Sequence, residues 1–331
     1  MRRRPCSAFN SRLLSSFYCS TGALVDNRTR SPLIRISLSV RSEAGSNARG
    51  CFDRLRRHGT RKLEDHPSSV TKLAPRQVQI RVDSVSHRFG TGILAIDEMK
   101  FEIVAGEFVV IVGPSGCGKT TILNIIAGLT AQQTGAVSVD NGPPKAGRHD
   151  VAYMFAQDAL LPWRQVIDNV LFGVEIHSGA RRLTDEIRER AREILAMVGL
   201  GAFENSYPRQ LSHGMRQRVA LARTFLMPSP VLLMDEPFGA LDAHTKLMLE
   251  QGLLRLWERD KRTVLFITHD LAEAISLADR ILVCTARPGR IKSEISIDLP
   301  RPRNINALQH DERYHEYYQR IWGDLSQEMV V

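Results

Sequence analysis

Three short apolar runs, Phe108-Val109-Val110-Ile111-Val112, Val231-Leu232-Leu233-Met234 and Thr263-Val264-Leu265-Phe266-Ile267, carry almost no polar residue. A strand with one face in water alternates; a run without alternation suits a strand buried on both faces of a parallel sheet. Each run gives way to polar residues and then to a helical pattern, the first over residues 121–129 behind a glycine-rich loop. The layout predicts an α/β fold with its chemistry at the C-terminal ends of the strands. Ahead of the first run, Val78-Gln79-Ile80-Arg81-Val82 alternates as an edge strand does, and Phe101-Glu102-Ile103 leads into a turn at Gly106.

Between about residues 159 and 227 the pattern is helical, which predicts an inserted helical subdomain. Thr184 can cap a helix with Asp185 and Glu186 in its first turn. Ile187, Ala191, Ile194, Leu195 and Val198 form its apolar stripe, and Gly199 ends it. A second helix starts at Ser212 and stops before Pro228. Near the C-terminus, Tyr314, Tyr317, Tyr318, Ile321, Trp322 and Leu325 are spaced as one face of a helix packed on the body. No internal repeat is present, and no stretch of about 18 apolar residues predicts a membrane-spanning helix.

Charge divides the chain. Residues 1–75 carry 15 Lys and Arg against 5 Asp and Glu, a net +10, whereas the remaining residues carry 30 against 31 and are nearly neutral. The overall +9 therefore says little about nucleic acid. The first 75 residues are rich in Arg and Ser and weak in apolar periodicity, too poor in buried surface to offset their ordering entropy, and are expected to be disordered. A start codon assigned too early is the preferred explanation; a transit peptide or a basic arm toward nucleic acid or anionic lipid are the alternatives. Cys6, Cys19 and Cys51 lie in this segment, and the five cysteines form no closely spaced framework, which fits a reducing compartment.

The chemistry begins at Gly113-Pro114-Ser115-Gly116-Cys117-Gly118-Lys119-Thr120, which fits G-x4-G-K-[ST] between a predicted strand and a predicted helix. Glycines there let backbone N–H groups converge on phosphate oxygens, Lys119 reaches the β- and γ-phosphates, and Thr120 offers a hydroxyl to Mg²⁺. The second apolar run ends in Asp235-Glu236-Pro237. Asp235 is placed to hold Mg²⁺ through water, and Glu236 to polarise an attacking water. Alone, such an acidic pair is usually a solvated turn; beside a phosphate loop it is a catalytic pair.

Leu211-Ser212-His213-Gly214-Met215-Arg216-Gln217-Arg218 opens a helix, with Ser212 standing 23 residues before Asp235. At that distance it resembles the signature of ATP-binding cassette (ABC) ATPases, usually written LSGGQ, with His213 for the first Gly and Met215 for the Gln. Gln157, at the end of Tyr153-Met154-Phe155-Ala156-Gln157, matches the family's Q-loop. Ala240-Leu241-Asp242 matches its D-loop, His269 its switch histidine, and Phe89 the aromatic that stacks on adenine. Singly these would be a surface Gln, a core Phe and a strand-end His; the ordered set, spread over most of residues 77–290, is specific. Leu160-Leu161-Pro162-Trp163-Arg164-Gln165-Val166-Ile167-Asp168-Asn169-Val170 and Ala286-Arg287-Pro288-Gly289-Arg290 look like the ATPase subunit of nitrate/sulfonate/taurine-type importers. Only 41 residues follow Arg290, too few for the regulatory domain of sugar-type importer ATPases.

The resemblance implies a P-loop NTPase of the ABC ATPase type over residues 76–295, with the helical subdomain at about 159–227 and a short helical tail over 296–331. It implies an ATPase using ATP and Mg²⁺. ATP contacts carry over to Phe89, Gly113, Pro114, Ser115, Gly116, Cys117, Gly118, Lys119, Thr120, Thr121, Gln157, Ser212 and Gly214. Catalysis carries over to Glu236 and His269, and metal binding to Thr120, Gln157 and Asp235. It further implies a homodimer with ATP between the phosphate loop of one chain and the signature of the other. Membrane permease subunits would sit on it, and a solute-binding protein would act at one remove. The expected place is the cytoplasmic face of the inner membrane, without nucleic acid. The competing class, a non-transport ABC ATPase on nucleic acid or ribosomes, would carry a long coiled coil or a second cassette. About 90 residues separate phosphate loop and signature, without sustained heptads.

Overall fold

The computed structural model describes residues 77–328, apart from 91, 180–182 and 240. The expectations for residues 1–75 and for Ala240 of the D-loop match lie outside the described residues. In chain order the strands and helices are β1 (Val78–Arg88), β2 (Leu94–Val104), β3 (Phe108–Val112), α1 (Lys119–Ile126), β4 (Thr134–Val139), β5 (Val151–Met154), α2 (Val166–Ser178), α3 (Asp185–Met197), α4 (His213–Leu226), β6 (Val231–Asp235), α5 (Ala243–Asp260), β7 (Thr263–Ile267), α6 (Leu271–Leu277), β8 (Arg280–Cys284), β9 (Ile291–Ser296), α7 (Ile305–Leu308) and α8 (Glu312–Ser326). No helix among the described residues is long and apolar enough to cross a membrane.

Two sheets result. The larger has the order β5-β6-β7-β3-β8-β9, parallel except for the antiparallel edge strand β9. The continuous apolar runs have their explanation here: every residue of β3, β6 and β7 is buried. Successive side chains of β3 point to opposite faces. Phe108, Val110 and Val112 join one core with Trp257 and Phe266, and Val109 and Ile111 join a second with Ile122 and Ile125. Burial of each such side chain contributes roughly 1.5–3 kcal/mol.

The smaller sheet is antiparallel, in the order β2-β1-β4. Residues 78–82 therefore lie in the middle strand and not on an edge, with Val82 opposite both Phe101 and Val137. Alternation reports that one face is buried; it does not report how many neighbours flank the strand. The helix after the phosphate loop begins at Lys119, two residues before its predicted start, and stops short of Leu129, where Gly128 turns the chain at φ +72°.

Within the helical stretch, the Thr184 hydroxyl accepts from the Ile187 N–H, and Ala191, Ile194 and Leu195 are buried. The Ser212 hydroxyl likewise caps α4 by accepting from the Met215 N–H. In α8, Tyr314, Ile321 and Leu325 pack inward and the Tyr317 hydroxyl accepts from the Asp298 N–H, while Tyr318 and Trp322 remain exposed. The aromatic stripe of the tail is thus only partly a packing face.

Candidate active site

The loop from Gly113 to Gly118 leaves the end of β3 and feeds α1. Gly116 and Gly118 hold φ +79° and +94°, a region costly for residues with a Cβ. Space demands glycine as well: a Cβ on Gly118 would lie 2.9 Å from the Ala95 carbonyl oxygen, and one on Gly113 2.8 Å from Cys284 Cβ. The loop is therefore folded directly against β2 and β8. Lys119 is buried, and its Nζ donates to the Gly113 and Pro114 carbonyls at 2.8 and 2.9 Å. The amine is held inside the curve of the loop.

Strand order brings the remaining chemistry to the same end of the sheet. β6 delivers Asp235, whose Oδ1 accepts from the Thr120 hydroxyl at 3.2 Å. Burial raises the Asp235 pKa, against the opposing hydrogen bond from Thr120. The next residue, Glu236, has φ +45°, uncommon for a non-glycine residue, and its N–H donates to the Ile267 carbonyl at 3.0 Å. That backbone turns its carboxylate toward His269, which follows β7; Nδ1 lies 3.2 Å from Glu236 Oε2. A cavity of about 440 Å³ is lined by Phe89, Ser115, Gly116, Gly118, Lys119, Thr120, Thr121 and Glu236, together with Ile93, Ala95 and Arg287.

The other expected site residues are placed differently. Gln157 is exposed after β5, and Ser212 is an exposed helix cap; neither they nor Gly214 line this cavity. The loop after β5 is instead fastened to α4. Arg216 Nε donates to Asp158 Oδ2 at 2.9 Å, and Arg223 donates to the carbonyls of Asp158 and Ala159 at 2.9 and 3.0 Å. No local pattern in the chain announces this attachment, because it joins residues far apart in sequence. Arg287 stands in the motif over residues 286–290, but its place at the cavity likewise depends on a contact with distant Gly116. Among the described residues no three His, Cys, Asp or Glu side chains gather into a metal-binding cluster. The paired oxygens of Thr120 and Asp235 are nevertheless the hard donors that Mg²⁺ prefers when phosphate and water complete its shell.

A strand–glycine loop–helix unit with a buried lysine, facing an acidic strand end, defines a P-loop nucleotide-binding protein. The ABC transporter family model matches residues 96–239. An uncharacterized ABC transporter ATP-binding protein of Methanocaldococcus jannaschii is 42% identical over 264 residues, which are 79% of this chain and 96% of the relative. An aliphatic sulfonates import ATP-binding protein of Bacillus cereus is 38% identical over 228 residues, 68% of this chain and 88% of the relative. The dimeric structure of an ATP-binding cassette in a post-hydrolysis state, bound to ADP and Pi, is 33% identical with a TM-score of 0.59, covering 67% of this chain and all of that one. The chain belongs to the ABC transporter family as an ATP-binding subunit, and it is an ATPase.

Proposed function

We propose that this ATPase powers import of a small solute, of the nitrate, sulfonate or taurine kind, through permease subunits on separate chains. The observation that carries the catalytic part is the meeting of Lys119, Thr120, Asp235, Glu236 and His269 at one end of one sheet. Lys119 and the loop N–H groups bind the β- and γ-phosphates, Phe89 takes the adenine, and Thr121 follows the phosphates into α1. Thr120 and Asp235, joined by Gln157, hold Mg²⁺, which neutralises phosphate charge when bound. Glu236 accepts a proton from the attacking water, and His269 orients that carboxylate.

Two chains act head to tail, with Ser212 and Gly214 of each facing the ATP held by the other. That the resembling cassette bound to ADP and Pi is dimeric supports pairing of two chains. The organisation proposed is an ATPase domain over 76–295, its helical subdomain at about 159–227, and a tail from 296. The permease would seat beside a second cavity of about 380 Å³, whose walls include Tyr153, Phe155, Phe172, Ile176 and Met227. Trp163, 72% exposed, stands in the segment that follows Gln157. Such an exposed apolar surface suits a membrane partner at the cytoplasmic face of the inner membrane. The importer reading draws its support from the sulfonate-import relative.

Glu236→Gln keeps the shape of the site and removes its base. Turnover should fall by two orders of magnitude or more, while ATP binding stays within about twofold of wild type. Near-normal hydrolysis by the variant would remove Glu236 from its role. Proteoliposomes with the cognate permease and binding protein, assayed for ATP-dependent uptake of radiolabelled taurine, an alkanesulfonate and nitrate, test the importer assignment.

A further inference from the structure

Arg287 has no part in the chemistry above, yet its side chain lines the same cavity as Lys119 and Thr120. It sits in the turn between β8 and β9, and that turn is held from three sides. On the side of β2, the Gly289 N–H donates to the Ala95 carbonyl at 2.9 Å and the Asp97 N–H to the Gly289 carbonyl at 3.1 Å. On the side of the phosphate loop, Gly289 lies so close that a Cβ there would collide with the Cys117 carbonyl oxygen. On the side of the tail, the Ala286 N–H donates to Glu328 Oε2 at 3.0 Å, and Lys292 bonds the other oxygen of that carboxylate at 2.8 Å.

The turn therefore presents Arg287 in a fixed place. Its Nε donates to the Gly116 carbonyl at 3.2 Å, and its Nη2 lies 2.7 Å from where a Cβ on Gly116 would be. The guanidinium lies on the tip of the phosphate loop with its remaining N–H donors uncommitted among the described residues. The other cations of this hairpin each have a carboxylate: Arg280 has Glu107 and Glu294, Arg290 has Asp97, and Lys292 has Glu328. Arg287 alone has none among the described residues. With Lys119 it gives the cavity two cations against the single carboxylate of Glu236. A guanidinium without a carboxylate, held at the rim of a cavity built for an anion, matches phosphate oxygens in geometry and charge.

We propose that Arg287 is a nucleotide-binding residue that contacts the polyphosphate of ATP from the Gly116 side of the loop. The proposal rests on the cavity being the ATP site. The test uses the full chain and equilibrium binding of the β,γ-imido analogue of ATP, of ADP and of AMP. Arg287→Ala should weaken the ATP analogue and ADP by about five- to twentyfold and AMP by less than about twofold, the loss shrinking as KCl is raised. Arg287→Lys should recover part of it, since the charge returns without the fork. Both variants should unfold at the wild-type temperature, because the residue is exposed. Unchanged affinity for the ATP analogue overturns the proposal. So does an equal, salt-independent loss for all three nucleotides, the mark of a residue that only braces Gly116. Lys119→Ala serves as the control: loss of the ATP analogue there beside normal binding by Arg287→Ala refutes the Arg287 contact alone, whereas normal binding by both variants refutes the cavity assignment as well.

Discussion

Cys117 shows how a neighbour can outweigh burial. The Cys284 thiol hydrogen-bonds to its sulfur, and the Lys119 ammonium adds its charge, with Nζ at 3.7 Å. Together they bring Cys117 down to about 6 although burial opposes them, while the same hydrogen bond pushes Cys284 up. The neighbours of Cys117 thus make it more acidic than an ordinary thiol despite its burial. Iodoacetamide labelling of the Cys117 peptide, followed by mass spectrometry, should rise through about pH 6 and level off by about pH 7. MgATP should slow it, and Cys284→Ala should move the midpoint upward. A midpoint near that of an ordinary thiol in the wild type would show that the Cys284 contact does not govern the sulfur. Glu236 illustrates another residue-scale device. Its left-handed backbone is tolerated because its N–H and the carbonyl of Ile267 lock the turn, so the carboxylate is aimed before any ligand arrives.

Between α5 and α6 lies a partly buried group of charges that takes no part in the nucleotide chemistry. Lys246 pairs with Asp270 and Glu273, and the Thr268 hydroxyl also donates to Glu273. Glu250 is buried beside them; burial, reinforced by the charge of Glu273, pushes it up to about 8 although Lys246 pulls the other way. In the unfolded chain a glutamate releases its proton near 4.5, so between about pH 4.5 and 8 the folded state holds the extra proton. Stability from this group therefore falls as pH rises through that window. Glu250→Gln should match wild type at about pH 4.5 and exceed its melting temperature by a few degrees at pH 8. Parallel melting curves across the range would mean that Glu250 ionises freely. At this scale much of the fold is legible in sequence. The α3 helix announces its cap and its stripe, and β3 announces two buried faces. The smaller sheet is harder to read, because β1 and β2 are interrupted by register shifts and by left-handed residues at Ser84 and Glu98 that break the alternation. The phosphate loop, Asp235 and Glu236 are legible as local patterns. The attachment of the β5 loop to α4 is not, since Arg216 finds Asp158 from 58 residues away.

In the whole molecule, Lys119 and Ser212 belong to different surfaces, one lining the cavity and one capping an exposed helix end. If each ATP is shared, Lys119→Ala and Ser212→Arg chains should each fail alone. Mixed, they should regain one intact ATP site per heterodimer, measured as ATP retained in a trapped dimer. Heterodimers that retain no more than the separate variants would show that each site is confined to one chain. Another consequence follows from where the phosphate loop sits. β3 is the first strand of the larger sheet to leave the ribosome, yet it lies between β7 and β8, and its loop is roofed by the turn that contains Gly289. A nascent chain thus owns the motif long before it owns the walls that shape it. The cavity's walls are complete only once the turn between β8 and β9 has been made, so a chain that stalls on the ribosome before that turn should carry the ATP motif without the Arg287 and Gly289 contacts that close over it.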